Sequence, residues 1–196
     1  MRTIIINDLI KLNDYQTYLE LGVDTGNNFS NISIHYKRGV DLSPIQGHFS
    51  DLNHRLFIGT TNQFFDTSSE KFDIIFIDAD HESGQWLLDV ENSLDRLNDG
   101  GVIVCHDVLP EKEEHQQIPR SSEQWTGDVW KGWIHLRNTR PDLTMAVINQ
   151  DWGCGLIKVG KQKCTNILDK DLTWSNFRVR KKKWLPIVKE IPHEFK

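Results

Sequence analysis

The chain is short of cysteine, of long apolar runs and of basic excess, and each shortage removes a class of protein. Its three cysteines, Cys105, Cys154 and Cys164, show no metal-ligand spacing and cannot all pair. The default is therefore a reducing, cytoplasmic location. The opening run Ile4-Ile5-Ile6 is broken at once by Asn7-Asp8, which reads as neither a signal peptide nor a membrane span. A formal net charge of −5 argues against a nucleic acid backbone as the main partner. The local exception is Arg178, Arg180, Lys181, Lys182 and Lys183, a cluster expected to be solvated surface. Internal repeats and low-complexity linkers are absent as well. With 196 residues, 38% of them hydrophobic and 26% charged, the chain reads as a single globular domain over residues 1–196.

The most informative passage present is Tyr18 to Asn28. An apolar strand ends in Glu20, and Gly22 opens a turn through Val23, Asp24 and Thr25 to Gly26, where a helix-like segment begins. Such a turn lets the backbone approach a nucleotide-like ligand with helix N-terminal amides pointing at it. The spacing is Glu-x-Gly-x-x-x-Gly. It is not the Gly-x-Gly-x-x-Gly of dinucleotide folds, so the ligand expected is a nucleoside with a zwitterionic tail. Lys37 to Asp41 then reads as a second strand ending in a carboxylate, 21 residues after Glu20. A carboxylate only accepts hydrogen bonds and takes two donors at once, which suits ribose hydroxyls.

Strand-like runs fall at 17–21, 36–41, 55–59, 72–78, 101–106, 143–149 and 153–159, most of them separated by helical spacing. This alternation predicts an α/β fold with a mainly parallel sheet. The clearest helix spans about 83–97, with Trp86, Leu87, Val90, Leu94 and Leu97 on one face. Only Gln150-Asp151-Trp152 separates the last two runs, so they are expected to form an antiparallel hairpin at the sheet edge. Ligands in such sheets sit beyond the carboxyl ends of the strands, which places Gly22, Asp41, Gly59, Asp78 and His106 on one rim.

ELGVDTGNNF (20–29), GVDLSP (39–44), FDIIFIDADH (72–81), LNDGGVIVCHDV (97–108) and GDVWKGW (127–133) together resemble class I S-adenosylmethionine-dependent methyltransferases. Among these the chain is most similar to the small, macrocin-type O-methyltransferase-like group. The resemblance covers most of residues 15–160 and leaves 161–196 as a C-terminal extension. It implies a three-layer sandwich around a seven-stranded, mainly parallel Rossmann-like sheet whose final strand is antiparallel. It also implies S-adenosyl-L-methionine as cofactor, held by Glu20, Gly22, Asp24, Gly26, Asp41 and Asp78, with Thr61 or Asn62 beside the adenine.

O-methylation needs an oxygen nucleophile whose proton is taken by a base or whose pKa is lowered by a metal. Ile77-Asp78-Ala79-Asp80-His81 follows the central apolar strand, and His106-Asp107 follows the next. In the macrocin-like group an Asp-x-x-His segment gives a metal-binding Asp and a catalytic His. Asp78 and His81 match it and are the catalytic candidates, with His81 as general base. In that group an acidic pair after the next strand completes the metal site. Here the pair is His106-Asp107, so only its second acid is retained. The candidate ligands for a divalent metal are Asp78, Asp107 and His106, with Asp80 as another option for the third. Carboxylates suit Mg²⁺, and a histidine tilts the preference towards Mn²⁺.

Three of the seven tryptophans lie at 125–133. Trp130 and Trp133 read as the buried face of a helix, whereas Trp125 ends the polar loop 111–126 and is expected to stack on the acceptor. Asp73 reads as structural. The function expected is O-methylation of a small polar acceptor, a saccharide or natural-product hydroxyl. Specificity would come from loop 111–126, the N-terminal segment or a homodimer partner. The alternative is a noncatalytic cofactor-binding module supporting a partner protein. A nicotinamide oxidoreductase ranks third because the dinucleotide glycine motif is missing.

Overall fold

A computed structural model describes residues 1–196. The elements run α1 (Arg2–Asn13), β1 (Thr17–Leu21), α2 (Asn27–Ser30), β2 (Tyr36–Asp41), β3 (Leu56–Ile58), α3 (Thr61–Thr67) and β4 (Phe72–Ile77). They continue with α4 (Ser83–Asp95), β5 (Leu97–Cys105), α5 (Val129–Thr139), β6 (Leu143–Ile148), β7 (Cys154–Val159), α6 (Trp174–Trp184) and β8 (Ile187–Val188). All strands join one sheet in the order β3-β2-β1-β4-β5-β7-β6-β8. Every pairing is parallel except those of β7, which runs against both β5 and β6. All seven expected strands are present, and the eighth is the two-residue β8, which covers the edge that the β6–β7 hairpin was expected to form.

The central strands are apolar on both faces because both are covered. Side chains alternate across a strand. Ile75, Ile77, Ile103 and Cys105 pack with buried residues of α3, α4, α5 and α6, whereas Ile74, Phe76, Val102 and Val104 pack with Ile5, Ile6, Leu9 and Ile10 of α1. Three layers result. Residues outside 15–160 contribute to both faces, since Ile6, Leu9, Phe177, Trp184 and Phe195 are all buried. The basic residues Arg178, Arg180, Lys182 and Lys183 lie on the exposed side of α6, as expected of a solvated cluster.

Two local expectations are corrected. Helix α4 ends at Asp95, and its buried face is Trp86, Asp89, Val90 and Ser93. Leu97 is not helical: it starts β5 opposite Phe72. The next pair is Ile74 with Val102, so Asn98 to Gly101 bulge out, with Gly100 at φ 78°. Asp73 stabilises this irregularity. It accepts from the Gln16 and Thr17 amides at 2.8 and 2.9 Å and from Asn98 Nδ2 at 2.7 Å, a structural role as read from sequence.

Between β1, which leads to β2 and β3 on one side, and β4, which leads to β5 on the other, the sheet reverses its direction of growth. Such a switch point opens a crevice at the carboxyl ends of the strands.

Candidate active site

The turn after β1 lies in that crevice. Gly22 has φ +84°, and a Cβ there would overlap the Asp78 carbonyl at the end of β4, so glycine is required by both conformation and space. Gly26, at φ +80°, precedes α2, which is a single turn of four residues. Asp41, at the end of β2, holds the turn closed. Its Oδ2 accepts from the amides of Val23 and Asp24, both at 2.8 Å, and its Oδ1 from Ser43 N at 3.1 Å. A carboxylate has about four lone-pair sites, so capacity remains for one more donor.

A cavity of about 820 Å³ opens over the turn, lined among others by Gly22, Asp24, Asp41, Thr61, Asn62, Asp78, His81 and Trp125. Thr61 and Asn62 differ in availability. The Thr61 hydroxyl is committed to buried Asp89 at 2.6 Å, whereas the Asn62 amide is exposed and paired loosely with Gln85 at 3.2–3.4 Å. Burial holds the Asp89 carboxyl above its usual pKa despite the bonds from Thr61 and Gln85.

Glu20 points elsewhere, into an adjoining cavity of about 370 Å³ that shares Gly22, Asp24, Thr25 and Asp78 with the first. Only 1% of Glu20 is exposed. Its Oε2 accepts from Tyr18 Oη at 2.5 Å and Asn28 Nδ2 at 3.1 Å, while Oε1 takes no protein hydrogen bond. Burial pushes its pKa up to about 8; the Tyr18 bond opposes the rise and the charge of Asp78 adds to it.

Strand ends β4 and β5 bring the polar residues together. His81 Nε2 lies 3.4 Å from Asp78 Oδ1, and His81 Nδ1 lies 3.3 Å from Asp107 Oδ2. His106 Nδ1 stands 3.4 and 3.1 Å from the same two carboxylates, and its Nε2 is 3.5 Å from Asp151. One ligand atom each from Asp78, His81 and Asp107 lies within 4.8 Å of the others, so these three also form a compact donor group. Asp80 stays outside it, exposed and capping the turn by accepting from Glu82 N at 2.8 Å.

Burial opposes charge on both imidazoles, but the carboxylates win. Hydrogen bonds to Asp107, Asp151 and Asp78 hold His106 up at about 12, and Asp78 with Asp107 raises His81 above its ordinary value. Asp78 is buried too, yet the bonds from His106 and His81 keep it well below the usual carboxylate range. Arg2 Nη1 lies 2.8 Å from His106 Nε2, a contact that suits only a neutral ring accepting at that atom. Three surrounding carboxylates outweigh one partly exposed guanidinium, so we assign the imidazolium, donating to Asp107 and Asp151.

Segment 125–128 braces His81. Trp125 stacks on the imidazole with centroids 5.1 Å apart, and its carbonyl is 3.2 Å from Nδ1. Asp128 N donates to the His81 carbonyl at 3.0 Å, and Asp128 Oδ1 accepts from Ser83 N at 2.7 Å, capping α4. Gly127, at φ +56°, fits because a Cβ would overlap that carbonyl. Trp130 and Trp133 are fully buried, as expected of a packed helix. Sequence reasoning missed Arg2, Asn28, Asp128 and Asp151. Only a polar residue in the β6–β7 turn and the oddly placed positive-φ pair Asp151 and Trp152 could have drawn notice, and the second is visible only in three dimensions.

The family model described as "Methyltransferase domain" matches residues 19–108. No curated protein matches the chain in sequence. Among solved structures, the chain is similar to the S-adenosylhomocysteine-bound methyltransferase PaMTH1 of Podospora anserina, with TM-score 0.62 and 18% identity over 82% of this chain and 78% of that one. It is also similar to an O-methyltransferase of Bacillus cereus in complex with S-adenosylhomocysteine, with TM-score 0.55 and 18% identity over 82% and 80%. A third is S-adenosylmethionine-bound CalS10, an amino pentose methyltransferase of Micromonospora echinaspora, with TM-score 0.59 and 13% identity over 81% and 90%. At these identities the structural likeness is one of fold. No helix is long and apolar enough to cross a membrane. The matched segment contains the glycine turn, Asp41, Asp78, His81, His106 and Asp107, and the chain shares the fold of these methyltransferase structures.

Proposed function

We propose that the protein transfers a methyl group from S-adenosyl-L-methionine to a hydroxyl of a small polar acceptor, a saccharide or natural product, in the cytoplasm. The observation that carries this reading is His81 at the wall of the larger cavity, held between Asp78 and Asp107 at 3.4 and 3.3 Å. Binding a nucleoside alone needs no imidazole braced by two carboxylates. When bound, the cofactor supplies an electrophilic methyl on a sulfonium. The chain's part is to hold that group and to remove the acceptor proton.

In this reading Gly22, Asp24 and Gly26 shape the cofactor turn, Asp41 takes a ribose hydroxyl, and Asn62 lies beside the adenine. The Thr61 hydroxyl stays with Asp89, leaving its backbone to the ligand. Glu20 Oε1 receives the ammonium of the amino acid tail. His81 serves as base in its neutral form: its resting proton leaves to solvent, the freed Nε2 or Nδ1 then accepts the acceptor proton as one carboxylate contact gives way, and the remaining carboxylate stabilises the imidazolium that re-forms.

The donor set fits a divalent cation. Asp78 and Asp107 come from neighbouring strand ends, and both imidazoles contact them. Buried His106 suits the ligand position, with Asp151 behind it as the outer carboxylate that orients a ligating ring. His81, facing the cavity, is left free to act as base. Such an ion, Mg²⁺ or Mn²⁺, would lower the pKa of a coordinated hydroxyl. It would also have to displace the His106 proton, so its affinity should rise with pH.

The test is transfer of labelled methyl from S-adenosylmethionine to a panel of saccharides and phenolic or aliphatic natural-product alcohols. It would be run with Mg²⁺, with Mn²⁺ and with chelator, beside calorimetric titration with S-adenosylhomocysteine. Acceptor-dependent, His81-dependent product supports the proposal. Failure to bind S-adenosylhomocysteine by folded protein sinks it.

A further inference from the structure

We propose that Arg2, from the first turn of α1, recognises the α-carboxylate of the cofactor's amino acid tail and so selects a complete amino acid tail over a decarboxylated one. This rests on the methyltransferase reading and assigns a subsite within it.

The argument begins with charge. The smaller cavity adjoins the larger one and shares Gly22, Asp24, Thr25 and Asp78 with it, an arrangement that suits a nucleoside in one and its tail in the other. The walls of the smaller part carry four acidic side chains, Glu20, Asp24, Asp78 and Asp151, and two cationic groups, the Arg2 guanidinium and the Met1 ammonium, the second paired with Asp151 at 3.4 Å. An ammonium entering there meets acceptors on several sides. A carboxylate entering there is drawn to the cationic end, where Arg2 offers the planar two-donor edge that matches it.

The guanidinium is placed but not saturated. The Arg2 amide donates to Asp151 Oδ2 at 2.9 Å, and the neighbouring Thr3 hydroxyl donates to Asn28 Oδ1 at 2.7 Å. Asn28 in turn donates to Glu20, so α1 is tied to the floor of the same cavity. The ion pairs of the Arg2 head are long, 3.9 Å from Nε to Asp78 and 3.7 Å from Nη1 to Asp151. Charge-assisted bonds between such groups close to about 2.7–2.9 Å when direct. Nη1 abuts His106 Nε2 at 2.8 Å, to which it cannot donate while that ring is protonated, and Nη2 makes no hydrogen bond within the protein. An arginine with an unused edge, held among acids that it only loosely pairs, has the donors a carboxylate needs. The positive end of α1 adds to the same preference.

The experiment compares two ligands in calorimetric titrations. S-adenosylmethionine carries the carboxylate, and decarboxylated S-adenosylmethionine keeps the ammonium and sulfonium without it. Arg2→Gln should weaken the first about tenfold or more and leave the second within about twofold, the size expected for one charge-assisted bond. Arg2→Lys should recover part of the loss. Equal weakening of both ligands would mean that Arg2 only braces Asp78 and Asp151, which overturns the assignment; no weakening of either overturns it as well. Binding of neither ligand by the wild-type protein, with its thermal unfolding intact, would instead overturn the methyltransferase reading and this subsite with it.

Discussion

Lowering the pH from 8 to 6 should weaken S-adenosylhomocysteine binding about fiftyfold, and Glu20→Gln should remove that dependence. Burial raises the Glu20 pKa to about 8, so near neutrality the empty site holds a protonated acid. An ammonium is best received by the carboxylate, and only the ionised fraction serves. That fraction is about one-half at pH 8, one-tenth at pH 7 and one-hundredth at pH 6, and apparent affinity scales with it. The sign follows from the direction of the shift: binding expels a proton, so affinity climbs with pH and flattens above about 8. The same proton sets the stability of the empty protein. The neutral acid favours the fold fully below about 4.5, and that contribution is lost as pH rises through about 8. Titrations at pH 6, 7 and 8 in two buffers of different ionisation enthalpy would count the proton directly, with nearly one released at pH 7. A flat affinity across this range refutes the reasoning. So would an equal slope in Glu20→Gln, which would move the titrating group to the histidine cluster.

Replacing His81 by Ala should lower methyl transfer by about 10²- to 10⁴-fold, as loss of a general base does, while S-adenosylhomocysteine affinity stays near wild type; single-turnover rates beside calorimetry would separate the two. Trp125→Ala should weaken acceptor use and lower the rate constant together, because the indole both lines the cavity and stacks on His81, with cofactor affinity preserved; a loss confined to cofactor binding would show that its role lies elsewhere. Gly22→Ala should reduce stability by about 1–3 kcal/mol and abolish cofactor binding, since the turn must move away from the Asp78 carbonyl; chemical denaturation and a cofactor titration would check both halves.

Several elements were legible because local rules decide them. The near-continuous apolar runs of β4 and β5 specify strands covered on both faces, and the glycine turn after Glu20 has a conformation few other residues adopt. The carboxyl-end rule then put Gly22, Asp41, Gly59, Asp78 and His106 at one rim. The bounds of α4 and β5 were not legible, because Leu97 continues the helical spacing by residue type. Pairing with Phe72 and the Asp73 bonds to Gln16, Thr17 and Asn98 override that pattern.

Chemistry and position along the chain therefore set the fold class, the glycine turn and the candidate residues at the strand ends. Tertiary structure decided which other side chains join them. Arg2 reaches His106 across 104 positions and Asp151 across 149, distances at which no local spacing carries information. Only the packing of α1 on the sheet brings those groups together. The fold likewise decided that Glu20 is buried, which opposes its ionisation, that Thr61 turns its hydroxyl to Asp89, and that Trp125 stacks on His81. A residue's type states which bonds it is able to make, and the surrounding walls select the bonds it does make.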